Sequence, residues 1–178
     1  MTVQIAYARR PLARKPMRAG LTPLGPNQFE GYASLFNVRD GGGDSVAPGA
    51  FAASLRRTGV SQVRMLYQHF SHSPVGVWEE IAEDARGLYV RGRLSSDVEQ
   101  ARDIAALLRD GALNGLSIGF RTRRATRGPG NTRTLLEVEL WEISVVTFPL
   151  LAGSTVTAIG ASNSLAQAFR QAAATITT

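Results

Sequence analysis

Cysteine is absent from the 178 residues, which removes disulfides, thiolate nucleophiles and cysteine-ligated zinc from consideration. Lack of cysteine predicts an intracellular setting. No apolar run is long enough to span a bilayer. The chain starts Met1-Thr-Val-Gln-Ile-Ala6 and only then turns basic, the wrong order for a secretory signal. Histidine is scarce, with His69 and His72 the two examples, and aromatic residues make up only 7%. Acidic residues number 14 against 20 basic ones, giving a net charge of +6 and a pI near 10.7. The rest is ordinary for a globular protein: 44% hydrophobic residues, in a length that suits one domain with a real core plus tails.

The basic excess gathers in two places. Arg9, Arg10, Arg14, Lys15 and Arg18 precede the first acidic residue, Glu30, and lie among Pro11, Pro16, Gly20, Pro23, Gly25 and Pro26, the composition of a flexible arm. Arg121, Arg123, Arg124, Arg127 and Arg133 surround Gly128-Pro-Gly-Asn131, which is strong turn chemistry for the tip of a β-hairpin. Solvated surface charge is the simplest reading of both clusters. Few aromatics lie near them, so single-stranded nucleic acid finds no stacking platform. Binding to the acidic interior of an assembly stays open.

The folded domain is expected over residues 27–150, after a basic arm at 1–26 and before an Ala/Ser/Thr-rich tail at 151–178. In that tail Leu165, Ala168, Phe169 and Ala172 would line one side of a short helix. Phe29 to Phe36 alternates as a strand, and Asn37 to Asp44 is a glycine-rich loop. Pro48 suits the first position of a helix that Gly59 stops. Val63, Met65, Tyr67 and His69 share one face of a strand that Pro74 breaks. Val75–Ile81 and Gly87–Leu94 read as a hairpin with its turn at Glu83-Asp-Ala-Arg86. Ser96-Asp-Val-Glu99 matches a capping box, Ala101, Ile104, Ala105 and Leu108 form an apolar helical stripe, and Gly111 closes that helix. Short strands with two helices predict an α+β fold built on a mainly antiparallel sheet or barrel.

Three side chains suggest chemistry. Ser117 shares strand parity with Gly115 and Gly119, small neighbours that would let a substrate backbone approach. The plain alternative is a serine in a glycine-weakened edge strand. His69 falls on an apolar face, where the plain alternative is a buried, hydrogen-bonded histidine. A metal pair of His69 and His72 would need a third ligand that no spacing supplies. Leu136, Val138 and Leu140 alternate with Glu137, Glu139 and Trp141, so strict alternation puts Glu142 on the apolar side. A buried carboxylate there needs a partner such as an imidazolium. A β-bulge after Trp141 would instead turn Glu142 outward and leave Glu139 as the fallback carboxylate. A hydroxyl, an imidazole and a carboxylate on separate strands are the parts of a serine hydrolase.

Six segments in order carry a resemblance. They are Gly31-Tyr-Ala-Ser-Leu-Phe-Asn37, Pro48-Gly-Ala-Phe51, Gln68-His69 with Pro74-Val-Gly76, Gly87-Leu-Tyr-Val90, Asn114-Gly-Leu-Ser-Ile-Gly-Phe120, and Glu142-Ile-Ser-Val-Val146 with Pro149. Together they resemble the prohead (capsid maturation) proteases of tailed phages, a family similar to the herpesvirus assemblins. The resemblance implies a compact β-barrel ringed by a few helices, with Ser117 as nucleophile and His69 as general base. Herpesvirus enzymes use a second histidine as third member, and His72 lies too close in sequence to His69 for that place. The phage branch uses an acidic residue, which maps onto Glu142. Gly119 and the segment Arg121–Arg124 lie near enough to supply oxyanion contacts. No metal or organic cofactor is implied. The implied substrates are the major capsid protein and scaffold, with self-cleavage, inside an immature capsid in the host cytoplasm of a phage, prophage or gene transfer particle. Homodimerisation is the activation step of assemblin relatives. Two other readings compete: an inactive capsid assembly module that keeps the protease fold, and a basic nucleic-acid-binding protein that works through the arginine hairpin.

Overall fold

The computed structural model describes residues 23–130 and 132–161. The expected arm up to residue 22, Asn131 of the hairpin tip, and the stripe Leu165, Ala168, Phe169 and Ala172 lie outside those residues.

Alternation builds the strands. In β1 (Gln28–Leu35), Phe29, Gly31 and Ala33 are buried, and a register shift brings Ser34 inward as well. β2 (Asp44–Val46) follows the glycine-rich loop. β3 (Arg64–Tyr67) is shorter than alternation predicts. β4 (Pro74–Glu83) and β5 (Gly87–Leu94) form the expected hairpin. The Asp84 carboxylate ties their turn, accepting the N–H groups of Arg86 at 2.7 Å and Gly87 at 3.1 Å. Pro74 opens β4 rather than merely breaking β3, since the first residue of a strand tolerates a missing N–H. β6 (Gly115–Arg127) and β7 (Arg133–Val146) make the long antiparallel hairpin that carries the arginines.

The two helices differ from expectation at their starts. α1 (Ala52–Thr58) begins after Pro48, because Gly49 adopts φ 87° and makes residues 48–51 a turn. Gly59, at φ 74°, ends it as predicted. α2 (Glu99–Arg109) buries Ala101, Ile104, Ala105 and Leu108, the stripe its spacing requires. The capping box is not formed. The helix starts at Glu99 itself, and the Ser96 hydroxyl bonds Asp97 Oδ1 at 3.2 Å instead of a helical amide.

The sheet runs β2-β7-β3-β4-β5-β1 and ends on β8 (Val156–Ile159), with β6 paired to β7 off that path. Most pairings are antiparallel, but β2 and β3 both run parallel to β7. The strand at 156–159 lies beyond the boundary expected at 150. Four residues in a Thr/Ala-rich stretch give too little alternation to read, yet Val156 and Ile159 pack on the core. The segment before β8 curls the sheet into a half-barrel. Thr155 bridges to Gly115, Leu116 N–H donates to Ser154 O at 2.8 Å, and Tyr32 N–H donates to Thr155 O at 3.1 Å.

The core centres on Phe29, which is fully buried and meets Trp78 edge-on at 5.5 Å between ring centroids. Phe29→Ala is expected to lower the free energy of unfolding by about 3–5 kcal/mol, the range for emptying a packed aromatic site. Urea denaturation measures this, and a change below about 1 kcal/mol would show that the site collapses around the truncation.

Candidate active site

β7 begins with Val138 and Leu140 facing the core. Strict alternation would then bury Glu142. The pairing with β6 instead jumps from Phe120↔Leu140 to Gly119↔Glu142, so Trp141 is an extra, bulged residue. Beyond it Ile143 and Val145 take the core side. Glu142 is thereby turned off the core, which corrects the apolar-side expectation. The bulge delivers the carboxylate to the opposite face of the sheet, where Ser117 stands across from Ser144 and Gly119 across from Glu142. Directly opposed residues on one face of an antiparallel pair have Cβ atoms about 4.5–5.5 Å apart.

His69 also departs from alternation. β3 ends at Tyr67, and Gln68 and His69 then adopt φ 53° and 61°. Phe70 N–H donates back to Tyr67 O at 3.0 Å, closing a turn whose two central residues are both left-handed. Non-glycine residues pay of order 1–2 kcal/mol each for that conformation. Several bonds hold it: Gln68 N–H to Val145 O at 3.0 Å, Gln68 Nε2 to Thr147 Oγ1 at 2.6 Å, and His69 N–H to Ser144 Oγ at 3.1 Å. The turn carries the imidazole away from the Val63, Met65 and Tyr67 face and over to Glu142.

There His69 Nδ1 lies 2.6 Å from Glu142 Oε1, and the Ser144 hydroxyl donates to the other carboxylate oxygen at 2.7 Å. The Glu142 side chain is 13% exposed and the imidazole 44%. A carboxylate on Nδ1 favours the tautomer with the proton there and leaves the Nε2 lone pair free to accept a proton. Ser117, half-buried on β6, makes no hydrogen bond to the imidazole in the free chain; it stands beside the His69–Glu142–Ser144 set through its pairing with Ser144.

One residue of this arrangement was not singled out by the sequence, and another carried a different expectation. Ser144 is fully buried and bonds both partners, yet Ile-Ser-Val reads as plain strand. The signal was its place two residues after Glu142, on the same face. Gly119 was expected to admit a substrate backbone. A Cβ there would stand 2.1 Å from Glu142 Oε1 and 2.7 Å from its Cδ, so the missing side chain is the space the carboxylate occupies. The other candidates are engaged elsewhere. Glu139 pairs with Arg57 at 3.6 Å and with Arg123, on a separate part of β7. His72 stacks on Phe70 at 5.5 Å. Among the described residues no group of three or more His, Cys, Asp or Glu could hold a metal ion.

The chain is similar to known proteins in sequence and in fold. The family model described as caudovirus prohead serine protease matches residues 20–169. The prohead protease of Enterobacteria phage HK97 is 40% identical over 127 residues, 68% of this chain and 55% of that protein. The chain therefore spans about half the length of that curated relative. Among solved structures, the bacteriophage T4 capsid assembly protease aligns with a TM-score of 0.57 at 14% identity, over 68% of this chain and 82% of the other. The KSHV protease bound to a hexapeptide phosphonate inhibitor aligns with a TM-score of 0.51 at 13% identity, over 72% and 63%. At those identities the likeness concerns fold, and the α+β half-barrel is that of these proteases.

Proposed function

The chain belongs to the caudovirus prohead serine protease family, and from that premise we propose that it is a serine endopeptidase of prohead maturation. Its substrates are the major capsid protein and scaffold, and it works inside an immature capsid. Ser117 is the nucleophile, His69 the general base and Glu142 the orienting carboxylate. One observation carries this reading: a bulge and a costly left-handed turn together bring His69 Nδ1 to 2.6 Å from Glu142 on the face that holds Ser117.

In the proposed reaction His69 Nε2 takes the Ser117 proton as Oγ attacks the peptide carbonyl. The imidazolium that forms keeps Nδ1–H on Glu142. The proton then passes to the leaving amine nitrogen, and water admitted through the same base hydrolyses the acyl-serine ester. The free chain lacks a Ser117–His69 bond, as apo sites often do before substrate aligns them. The basic segment 1–26 fits a tether to an acidic scaffold or shell.

The direct test is co-expression of the chain with the major capsid protein of the same particle, followed by intact mass measurement. A capsid protein shortened at one defined site is the expected result. An intact capsid protein, together with no labelling of Ser117 by a fluorophosphonate, would overturn the proposal.

Ser144 has a positioning role in this scheme. A hydrogen bond to a charged group contributes about 1.5–3 kcal/mol. Ser144→Ala is therefore expected to lower kcat by about 10–150-fold with little change in KM. The Nδ1 proton resonance of His69 should shift as well, which a merely structural defect would not produce.

A further inference from the structure

A cavity of about 50 Å³ opens beside β6 and is lined in part by Ser117. Leu116, Ser117 and Phe120 of β6 line it together with Val46, Leu135 and the exposed Val38. The lining is mainly apolar. Ser34 also lines it, is 1% exposed, and its hydroxyl has no hydrogen-bond partner. A buried hydroxyl without a partner costs about 1–3 kcal/mol. Beside the cavity, β6 has β7 as its one strand partner, and from Ser117 onward its second edge is unpaired among the described residues.

We propose that this cavity is the subsite for one substrate side chain flanking the cleaved bond, and that it takes a threonine-sized group, threonine ahead of valine. The inference rests on Ser117 being the nucleophile. A peptide whose scissile carbonyl lies at Ser117 advances at most about 3.3–3.6 Å per residue, so a residue next to the cut lies over the cavity mouth. A single water needs only about 10–15 Å³ of such space, so the cavity admits a group of a few heavy atoms. Apolar walls take the methyl of threonine, and Ser34 Oγ takes its hydroxyl.

Two carboxylates, Asp40 and Asp44, also line the cavity, but their existing partners keep it from being a site for a cationic side chain. Asp44 accepts two hydrogen bonds from Arg133, at 2.8 and 2.5 Å, and that contact raises the guanidinium pKa above its ordinary value. Asp40 Oδ1 accepts the N–H groups of Gly42 and Asp44 at 2.8 and 2.9 Å. Both serve to fix the loop. The loop is further held where Gly41 N–H donates to Leu150 O at 3.0 Å.

The test digests a proteome-derived peptide library with the chain and with Ser34→Ala, and maps the cut sites by mass spectrometry. Wild type should enrich threonine over valine at one position within about three residues of the cut. Ser34→Ala, which removes only the unpartnered hydroxyl, should reverse that order at the same position. Val38→Trp, at an exposed lining position, should replace both by glycine or alanine by about tenfold or more, the discrimination expected from a filled pocket. Circular dichroism checks that each variant folds. Cleavage with the same profile in all three enzymes overturns the subsite and leaves the protease reading intact, as does a preference for lysine or arginine. An enzyme labelled at Ser117 by a fluorophosphonate that cuts no threonine-containing peptide also overturns the subsite. Neither cleavage nor labelling overturns both.

Discussion

Ser117→Ala is expected to reduce kcat/KM for capsid-protein cleavage by about 10⁴–10⁶-fold, the cost of removing the nucleophile from a catalytic triad. The fold should hardly notice. Ser117 is half-buried and makes no side-chain hydrogen bond that the fold depends on, so stability should change by no more than about 0.5 kcal/mol. A second replacement, His69→Ala on the Ser117→Ala background, should cost almost nothing further, because members of a triad act as a unit. Capsid processing measured by intact mass gives the first quantity and thermal denaturation the second. A Ser117→Ala chain that still shortens the capsid protein at the wild-type site would place the nucleophile elsewhere.

The second large effect comes from a residue with no chemistry of its own. Gly119→Ala puts a methyl where Glu142 Oε1 and Cδ now lie, at 2.1 and 2.7 Å. The carboxylate is the end of a flexible side chain, so it yields and the backbone does not. Its departure breaks the contact to His69 Nδ1 and leaves the imidazole free to rotate and change tautomer. Loss of the equivalent orienting group in serine proteases costs about 10⁴-fold in kcat. Partial displacement here should cost about 10²–10⁴-fold, in kcat rather than KM. A double-mutant cycle isolates the cause: once Glu142 is glutamine, alanine at 119 should add little. Fully additive losses would mean that Gly119 acts through something other than Glu142.

Much of this was legible in the chain. The β4–β5 and β6–β7 hairpins follow from alternation and turn chemistry, and α2 from its buried stripe of Ala101, Ile104, Ala105 and Leu108. His69, Ser117 and Glu142 could be singled out by residue type and order. Their surroundings could not. A bulge adds one residue with no compositional mark, so alternation from Val138 and Leu140 assigned Glu142 to the core. The trace it does leave is a change of apolar parity, from even positions at 138 and 140 to odd ones at 143 and 145. The turn at Gln68-His69 leaves no trace at all, because left-handed positions are normally announced by glycine or asparagine and here are imposed by contacts from β7. Ser96 failed as a cap for the converse reason: a local motif was present, but the helix began at Glu99.

The imidazole meets its carboxylate across 73 residues of chain, and its backbone meets Ser144 across 75. Both contacts depend on β3 lying parallel to the last stretch of β7, with the strand of Ser117 threaded between them in sequence. Contacts so distant along the chain form late, since loop closure must be paid before they reward it. During synthesis, then, His69 and Ser117 both leave the ribosome ahead of Glu142 and Ser144, the residues that hold the imidazole in place. On the proposed assignment, a half-made chain holds the nucleophile with its base not yet anchored, and it is expected to cut neither itself nor its neighbours. On that assignment, proteolytic competence is expected only once β7 is complete and docked.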